Sequence, residues 1–308
     1  MTETTRWPDF FLVGAPKCGT TAMNDYLAQH PGIFIPFRKE LHYFGSDLQG
    51  THFVRDRQAY LALFAGARAD QVAGEASVWY LTSERAAGEI RQANPHARIL
   101  IMLREPVSML HSLHSQMLYN GNEDIADFAE ALAAEDDRRA GRRLPPDVMN
   151  PTALHYRRHI RYAEQVGRYF TAFGRERTKV ILFDDFRRDT AGACREVFAF
   201  LGVDAAFEPS IRVVNANKRV RFETMKLFFR KPPALLKRAG RLLVPSAKAR
   251  QALWARLQRL NTRYEPRSPM DPALRAELTR EFAPQVEALA ELLGRDLSRW
   301  SRPPAAGG

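Results

Sequence analysis

Short apolar runs alternate with longer amphipathic segments along most of this chain. The runs Phe10–Val13, Arg98–Leu103 and Lys179–Phe183 have the length and composition of buried parallel strands, and Val72–Ala73 is a weaker candidate. Apolar positions at helical spacing predict helices over Thr20–Gln29, Ser83–Ala93, Pro106–Asn120, Phe128–Arg138, Tyr156–Phe173 and Ala191–Leu201.

Strands that alternate with helices predict an α/β fold with right-handed crossovers. We expect a three-layer sandwich of the P-loop type, with a central parallel sheet flanked by helices. Residues 1–308 are expected to form a single domain, with a basic helical insertion at about 218–263 and a C-terminal packing helix at about 272–300. Ligands of such sheets bind at the carboxyl ends of the strands. Lys17 and Arg104 each follow a predicted strand, so they should lie on one edge of the sheet.

The turn after the first predicted strand has the features of a phosphate-binding loop. Backbone amides of a glycine-bearing turn, the N-terminus of a helix and a lysine together favour an anion. A loop of the nucleotide triphosphatases reads G-x-x-x-x-G-K-S/T, whereas here the loop is shorter and the lysine precedes the second glycine. The candidate ligands of the phosphate are Lys17, Cys18, Gly19, Thr20 and Thr21.

A second anion site is predicted where the strand ending at Leu103 meets the next helix. Arg104 follows the strand, and Pro106 suits the first turn of a helix. Ser112 lies on that helix, eight residues after the arginine. An arginine at a strand end and a serine on the following helix can hold a phosphate together. The alternative is an arginine paired locally with Glu105 and a serine that faces the core.

These two motifs resemble those of sulfotransferases that use 3′-phosphoadenosine 5′-phosphosulfate (PAPS). The first loop is similar to their 5′-phosphosulfate loop, and Arg104 and Ser112 match the R-D/E/N-P motif and helical serine that bind the 3′-phosphate. The resemblance implies that a hydroxyl or amine attacks sulfur in line and that 3′,5′-bisphosphoadenosine (PAP) leaves. The residues present do not require a metal, so none is expected. Lys17 would stabilise the charge that develops on the leaving phosphate.

Residues 34–44 resemble the E-x-H-F/Y-F segment of heparan sulfate sulfotransferases and related bacterial enzymes. Glu40 matches the catalytic base of that family. If the segment is extended, Glu40 and His42 face the same side, which makes both candidate bases. The alternative is that Lys39 and Glu40 form a solvated pair and that His42 is a polar core residue.

A further segment, residues 74–80, aligns with the family sequence E-K-T/S-P-x-Y-F/L but departs from it. The family's lysine, which helps to hold the sulfate end of the donor, is Ala76 here, and its proline is Val78. Glu75 remains as a reserve candidate for the acid/base role. Later in the chain the resemblance is looser, and it suggests contacts to the nucleotide from Arg158 or Tyr162 and from Lys218 and Arg219.

Charge is concentrated in one segment. Residues 218–263 contain fourteen Lys/Arg and one acid, a net +13, whereas the whole chain is +11, so the remainder carries −2. Leucine, phenylalanine and tryptophan are interleaved with these cations, which fits a solvated cap on the active site, an acidic glycan or peripheral contact with a membrane surface. No nucleic-acid recognition motif is present, so nucleic acid is not expected as a partner.

Two alternatives to a sulfotransferase remain open. One is a P-loop kinase or ATPase, in which Asp184 would bind magnesium after a strand. The other is a binding module for an anionic polymer or a membrane surface. The expected acceptor is a glycan, a glycolipid or a small-molecule alcohol. The N-terminal residues contain no apolar signal region, which favours a cytoplasmic enzyme, peripheral at the inner membrane if the basic segment binds lipid.

Overall fold

Five parallel strands form the central sheet in the order β2-β3-β1-β4-β5. In this computed structural model the described residues are 6–50, 52–146, 148–211, 218–220, 262–264 and 269–302. The strands of the sheet are β1 (Phe10–Gly14), β2 (Ile33–Phe34), β3 (Val72–Ala76), β4 (Arg98–Leu103) and β5 (Thr178–Leu182).

Helices cover both faces of this sheet, so the predicted three-layer α/β class is confirmed. Short 3₁₀ turns follow β3 at Val78–Leu81 and occur at Pro151–Leu154, Tyr156–Ile160 and Ser298–Trp300. The helices are α1 (Thr20–Leu27), α2 (Arg57–Ala62), α3 (Ala86–Ala93), α4 (Pro106–Asn120), α5 (Phe128–Ala133), α6 (Glu135–Arg139), α7 (Tyr162–Phe173), α8 (Phe183–Arg188), α9 (Thr190–Leu201) and α10 (Pro272–Leu293).

The central strands are apolar because both of their faces are covered. All five residues of β1 are buried, and in β4 only Arg98 is exposed. Gly74 of β3 lies directly against the Phe10 ring of β1, where an added Cβ would stand 2.1 Å from the ring. No side chain fits there, so this glycine allows the two strands to pair without displacing the ring.

The junction between β4 and α4 fixes the start of α4. Glu105 caps the helix by accepting hydrogen bonds from the amides of Val107 and Ser108, both at 2.9 Å. Pro106 occupies the first turn, as predicted. Arg275 of α10 forms an ion pair with the same Glu105 at 3.1 Å. Glu105 therefore pairs with Arg275, and the predicted alternative of a local pair with Arg104 does not apply.

Two predicted helices are each interrupted. The segment 128–138 divides at Ala134 into α5 and α6. The segment 156–173 begins as a 3₁₀ turn and becomes α7 only after Arg161, whose ψ of 54° is not helical. Periodicity does not reveal such breaks, because the buried positions keep a helical spacing on both sides of them.

A buried ion pair braces the connection between α4 and α7. Arg138 donates two hydrogen bonds to Glu123, at 2.7 and 2.5 Å, and both side chains are fully buried. The Tyr156 hydroxyl donates to the same carboxylate at 2.7 Å. The pair joins α6 to the loop after α4 and to the 3₁₀ turn before α7. It therefore fixes the region between α4 and α7, which is otherwise built largely from loops and short turns.

The C-terminal helix is shorter than the predicted segment 272–300. Helix α10 buries Leu278, Phe282, Val286 and Leu289, but it ends at Leu293 before Gly294, whose φ is 62°. The rest of the predicted 272–300 helix is a 3₁₀ turn at Ser298–Trp300. No helix in the described part of the chain is both long enough and apolar enough to cross a bilayer.

The described ends of the basic segment are strands rather than helices. β6 (Lys218–Val220) pairs antiparallel with β7 (Thr262–Tyr264), with Lys218 opposite Tyr264. The backbone of β6 runs beside α4. Residues 221–261, where the helical insertion is predicted, lie outside the described residues.

Replacing Arg138 by methionine tests the buried brace. R138M leaves the Glu123 carboxylate buried without its cation, which should lower the free energy of unfolding by about 3–5 kcal/mol. Urea denaturation followed by circular dichroism measures this loss. R142M is the matched control, because Arg142 forms its ion pair with Asp137 at an exposed site, and its loss should stay below about 1 kcal/mol. Equal losses in the two variants would contradict a structural role for the brace.

Candidate active site

A cavity of about 340 Å³ lies at the carboxyl ends of β1 and β3. This is the edge at which ligands of parallel sheets bind. Its walls come from the loop after β1, the start of α1, the segment 39–53, the turn after β3, α4 and the segment 149–153. The lining residues used below are Lys17, Gly19, Thr20, Thr21, Lys39, Glu40, His42, Trp79, Gln116, Met117, Asn120 and Asn150.

The loop after β1 directs the N-terminus of α1 into this cavity. The first helical hydrogen bond runs from the Met23 amide to the Gly19 carbonyl. The amides of Thr20 and Thr21 precede this bond and have no acceptor within the helix, so they can bind an anion together with the positive end of the helix dipole. Gly19 has a φ of 90°, and a Cβ there would lie 3.2 Å from the Phe183 ring.

Lys17 brings a full positive charge to the same loop. Its ammonium donates to Gln116 Oε1 of α4 at 3.0 Å. Gln116 in turn donates to Asn120 Oδ1, one turn further along the helix, at 2.9 Å. The cation is therefore oriented from α4, next to the amides of α1.

Cys18 is predicted as a ligand of the phosphate, and its side chain lies in the core. Its side chain is fully buried and donates to the Pro16 carbonyl at 3.4 Å, and it does not line the cavity. Burial raises the pKa of this thiol to about 12. Tyr162 is buried beside it. The Cys18 thiol and Tyr162 thus belong to the core, and only the backbone of Cys18 remains as a candidate ligand.

Arg104 lies beside the phosphate-binding loop, outside the cavity lining. Its guanidinium donates to the Lys17 carbonyl at 3.4 Å and lies over the Phe183 ring, 4.8 Å from the ring centroid. Ser112 is buried in α4, one helical turn before Gln116. Neither Arg104 nor Ser112 lines the cavity, although Ser112 lies on the same helix as Gln116.

The candidate nucleotide contacts from the later part of the chain lie in two places. Lys218 and Arg219 are in β6, whose backbone runs beside the same helix α4. Arg158 donates to the Thr82 carbonyl at 3.1 Å, does not line the cavity and has an ion pair with Glu84.

The side chains of Glu40 and His42 are in contact, but the backbone that brings them together is not the predicted one. The segment is not extended, since Glu40 and His42 have φ values of 60° and 49°. The resulting turn places His42 Nε2 3.1 Å from Glu40 Oε2. Burial alone would raise the pKa of Glu40, but hydrogen bonds from His42 and the Val78 amide, with the charge of Lys39, lower it to about 2.

Lys39 is a cavity-lining side chain that motif matching did not single out. Its ammonium lies 3.1 Å from Glu40 Oε1 and donates to Thr21 Oγ1 at 3.2 Å. It lines the cavity and keeps 21% of its side-chain surface exposed. The only sequence signal was its position next to Glu40, which is equally compatible with a solvated pair.

Two buried polar atoms at the cavity have no hydrogen-bond partner among the described residues, namely His42 Nδ1 and Asn150 Nδ2. His42 is 3% exposed and Asn150 is 8% exposed. Buried polar groups are nearly always paired in native proteins, so such atoms mark places where a ligand or water completes the hydrogen bonding. Trp79 and Met117 provide apolar surface in the same cavity.

Glu75 lies in β3 and does not line the cavity. It is 2% exposed, and neither carboxylate oxygen has a hydrogen-bond partner within the described residues. Burial raises its pKa to about 8, and the neighbouring Glu40 adds to the shift. Glu75 is therefore protonated near neutral pH, unlike Glu40.

The geometry of Asp184 does not favour a magnesium site. Its carboxylate accepts a hydrogen bond from Trp300 Nε1 at 2.9 Å, which ties the C-terminal turn to α8. Within the described ranges, no three His, Cys, Asp or Glu side chains lie together as a metal-ligand set would.

Comparisons with known proteins agree with this geometry. Over 248 residues the chain is 27% identical to rat carbohydrate sulfotransferase 15, covering 64% of this chain and 44% of the rat protein. It is 26% identical to the mouse bifunctional heparan sulfate N-deacetylase/N-sulfotransferase 4, covering 72% of this chain and 24% of the mouse protein. The chain thus spans less than half the length of these curated relatives.

A solved structure matches almost the whole chain. The sulfotransferase from Alicyclobacillus acidocaldarius is 34% identical, with a TM-score of 0.71 over 96% of this chain and 99% of that one. The model of the sulfotransferase family matches residues 8–209, about two thirds of the chain. The chain belongs to the sulfotransferase family.

Proposed function

We propose that this protein transfers a sulfuryl group from PAPS to a hydroxyl or amine of an acceptor, most simply a carbohydrate. One observation carries the proposal. A single cavity contains an anion-binding helix N-terminus with Lys17 and, beside it, the hydrogen-bonded pair of Glu40 and His42. A leaving phosphate and an acceptor that must lose a proton can therefore be held next to each other.

The donor would lie along the edge formed by α1 and α4. Lys17 and the amides of Thr20 and Thr21 suit the 5′-phosphosulfate, because all three residues line one cavity and supply N–H donors. Arg104 lies next to this loop and Ser112 follows on α4, so both can take the 3′-phosphate. A second phosphate site of this kind would select PAP and PAPS over AMP.

The proposed chemistry is an in-line displacement at sulfur. The acceptor oxygen or nitrogen forms a bond to sulfur while the bond from sulfur to the bridging phosphate oxygen breaks, and the electron pair of that bond stays on the phosphate. Lys17 and the amides of α1 are preorganised around this developing charge. Positioning of the two reactants supplies much of the remaining rate enhancement.

The acceptor proton would pass to the Glu40–His42 pair. Glu40 is ionised, lines the cavity and keeps 35% of its side-chain surface exposed, so its carboxylate can reach an acceptor proton while Oε2 contacts His42 Nε2. Glu75 is not suited to this role, because a carboxyl group with a pKa of about 8 holds its own proton near neutral pH. The base is thus assigned to the pair that lines the cavity.

The acceptor side of the cavity fits a molecule with both hydroxyls and an apolar face. Asn150 and Asn120 offer amide groups, and Trp79 and Met117 offer apolar surface. Such a mixture suits a sugar ring, whose hydroxyls form hydrogen bonds while its C–H face packs on an aromatic ring. The names of the curated relatives, a carbohydrate and a heparan sulfate sulfotransferase, support the same class.

Calorimetric titration with PAP tests the donor site. Wild-type protein should bind PAP without magnesium, and AMP should bind more weakly because it lacks the 3′-phosphate. Lys17→Ala and Arg104→Ala should each weaken PAP binding about 10- to 150-fold, since each removes a charge-assisted hydrogen bond of about 1.5–3 kcal/mol. Lys179→Ala, which removes a lysine from the sheet-edge strand β5, serves as the control.

The kinase alternative makes the opposite prediction in the same titration. A P-loop kinase or ATPase would bind magnesium-ATP in preference to PAP. That result, or a failure of the wild-type protein to bind PAP at all, would contradict the proposed donor.

Replacing Glu40 by glutamine tests the base. E40Q keeps the shape of the side chain but removes its charge, so kcat should fall about 10²- to 10⁴-fold while PAP binding persists. The measurement is PAP release from PAPS in the presence of unsulfated heparan and chondroitin oligosaccharides, with p-nitrophenyl glycosides as small acceptors. If E40Q retained full kcat with an acceptor that the wild type uses, Glu40 would not belong to the proton path.

Replacing Glu75 by glutamine tests its protonation state. Between its ordinary pKa of 4.5 and the raised value of about 8, the unfolded chain has lost the proton that the folded protein keeps, so Glu75 makes stability fall as pH rises. E75Q should remove a slope of up to about 1.4 kcal/mol per pH unit over this window. Urea denaturation of both proteins from pH 5 to 8 measures it, and identical slopes would refute the assignment.

A further inference from the structure

We propose that Lys39 binds the transferring sulfuryl group itself and is a catalytic cation distinct from Lys17. This inference rests on the proposed function, because it assigns a role within the same site. It concerns a residue whose position is fixed by two contacts on different elements, the first turn of α1 and the segment that carries Glu40.

The two contacts place the Lys39 ammonium between the donor and the base. On one side, Nζ donates to Thr21 Oγ1 at 3.2 Å, in the first turn of the helix whose amides face the leaving phosphate. On the other side, the same nitrogen lies 3.1 Å from Glu40 Oε1. Because Lys39 Nζ contacts both Thr21 Oγ1 and Glu40 Oε1, it lies in the space between the start of α1 and the Glu40 carboxylate.

In-line transfer requires the sulfur to occupy the same space, between the start of α1 and the Glu40 carboxylate. The leaving oxygen is held at the start of α1, and the acceptor oxygen is held where Glu40 and His42 can receive its proton. The sulfur must lie between these two oxygens along the line of displacement. The group beside Lys39 in the donor complex is therefore the sulfuryl group, whose oxygens carry negative charge.

Lys39 has the chemistry that this position needs. An ammonium has three donors, so it can keep its bond to Thr21 and turn another N–H toward a sulfuryl oxygen. Its side chain is only 21% exposed and lines the cavity, so its charge is screened less than that of a surface lysine. Lys17 reaches the site from a different wall, through Gln116 of α4.

The reaction remains balanced with Lys39 as a permanent cation. The acceptor forms its bond to sulfur, the bond from sulfur to the phosphate oxygen breaks, and the phosphate keeps the electron pair. The acceptor proton passes to the Glu40–His42 pair. Lys39 transfers no proton, and its charge offsets that of the three sulfuryl oxygens as they pass from donor to acceptor.

This arrangement also couples donor binding to the base. With the site empty of donor, the Lys39 ammonium occupies Glu40 Oε1. A sulfuryl oxygen competes for the same N–H groups, so binding of PAPS frees that carboxylate oxygen for the acceptor proton. PAP has no sulfuryl group and leaves the pair intact.

The test compares PAP and PAPS on the same protein, which requires no acceptor. Calorimetry should show that the wild type binds PAPS more tightly than PAP. In Lys39→Met the affinity for PAP should fall less than about threefold, whereas the affinity for PAPS should fall at least about tenfold more, because one charge-assisted hydrogen bond is lost. Lys39→Arg should restore part of the preference. Lys179→Met, which removes a lysine that pairs with Glu196 at 3.0 Å, should change neither affinity.

The possible outcomes are separable. Equal losses for PAP and PAPS in Lys39→Met would show that Lys39 holds the phosphate or the fold and would overturn the inference. Unchanged affinities for both would show a solvated ion pair and would overturn it as well. If the wild type bound neither nucleotide, the proposed donor itself would fail. An unchanged thermal midpoint in Lys39→Met would confirm that any selective loss of PAPS comes from the site and not from misfolding.

Discussion

The site depends on one constraint, the unsatisfied backbone amides at the start of α1. A helix cannot satisfy its own first N–H groups, and here the parallel packing of β1 between β3 and β4 fixes where those groups point. Gly19 permits the left-handed turn that begins the helix so close to the strand. Lys17, Lys39 and the Glu40–His42 pair are all arranged around this one N-terminus, so a shift in β1 would displace the whole group.

Backbone strain is concentrated at the same place. Among the described residues, four non-glycine residues have a left-handed φ, and Lys17, Glu40 and His42 are three of them. Each such conformation costs about 1–3 kcal/mol and persists only where neighbouring contacts fix it. Here the contacts are hydrogen bonds from the Glu40 amide to the Ala76 carbonyl and from the His42 amide to Ser77 Oγ. The last residue of β3 and the residue after it thus fix the backbone of the segment that contains Glu40 and His42.

Sequence could predict the layers and the loop but not the contacts between segments. The strands β1, β4 and β5 could be recognised in the sequence, because burial on both faces leaves continuous apolar runs. β2 was not, since two residues carry no pattern. Glu40 and His42 were found by motif, yet the extended backbone assumed for them was wrong. Lys39 could not be assigned at all, because its partner Thr21 is eighteen residues away in the chain and the turn that joins them has no periodicity. The direction of the Cys18 side chain was equally hidden within a five-residue loop.

Because β6 pairs with β7, the length of the basic segment between them can change without a change in the geometry of the catalytic core. Residues 221–261 leave and return at adjacent positions of one antiparallel pair beside α4. Closing a longer loop costs only about 0.6 kcal/mol for each doubling of its length, so a change in the length of this stretch should leave the register of the parallel sheet unchanged. The chain is in this respect modular, because among the described residues the inserted cationic stretch joins the rest of the chain at one short antiparallel pair.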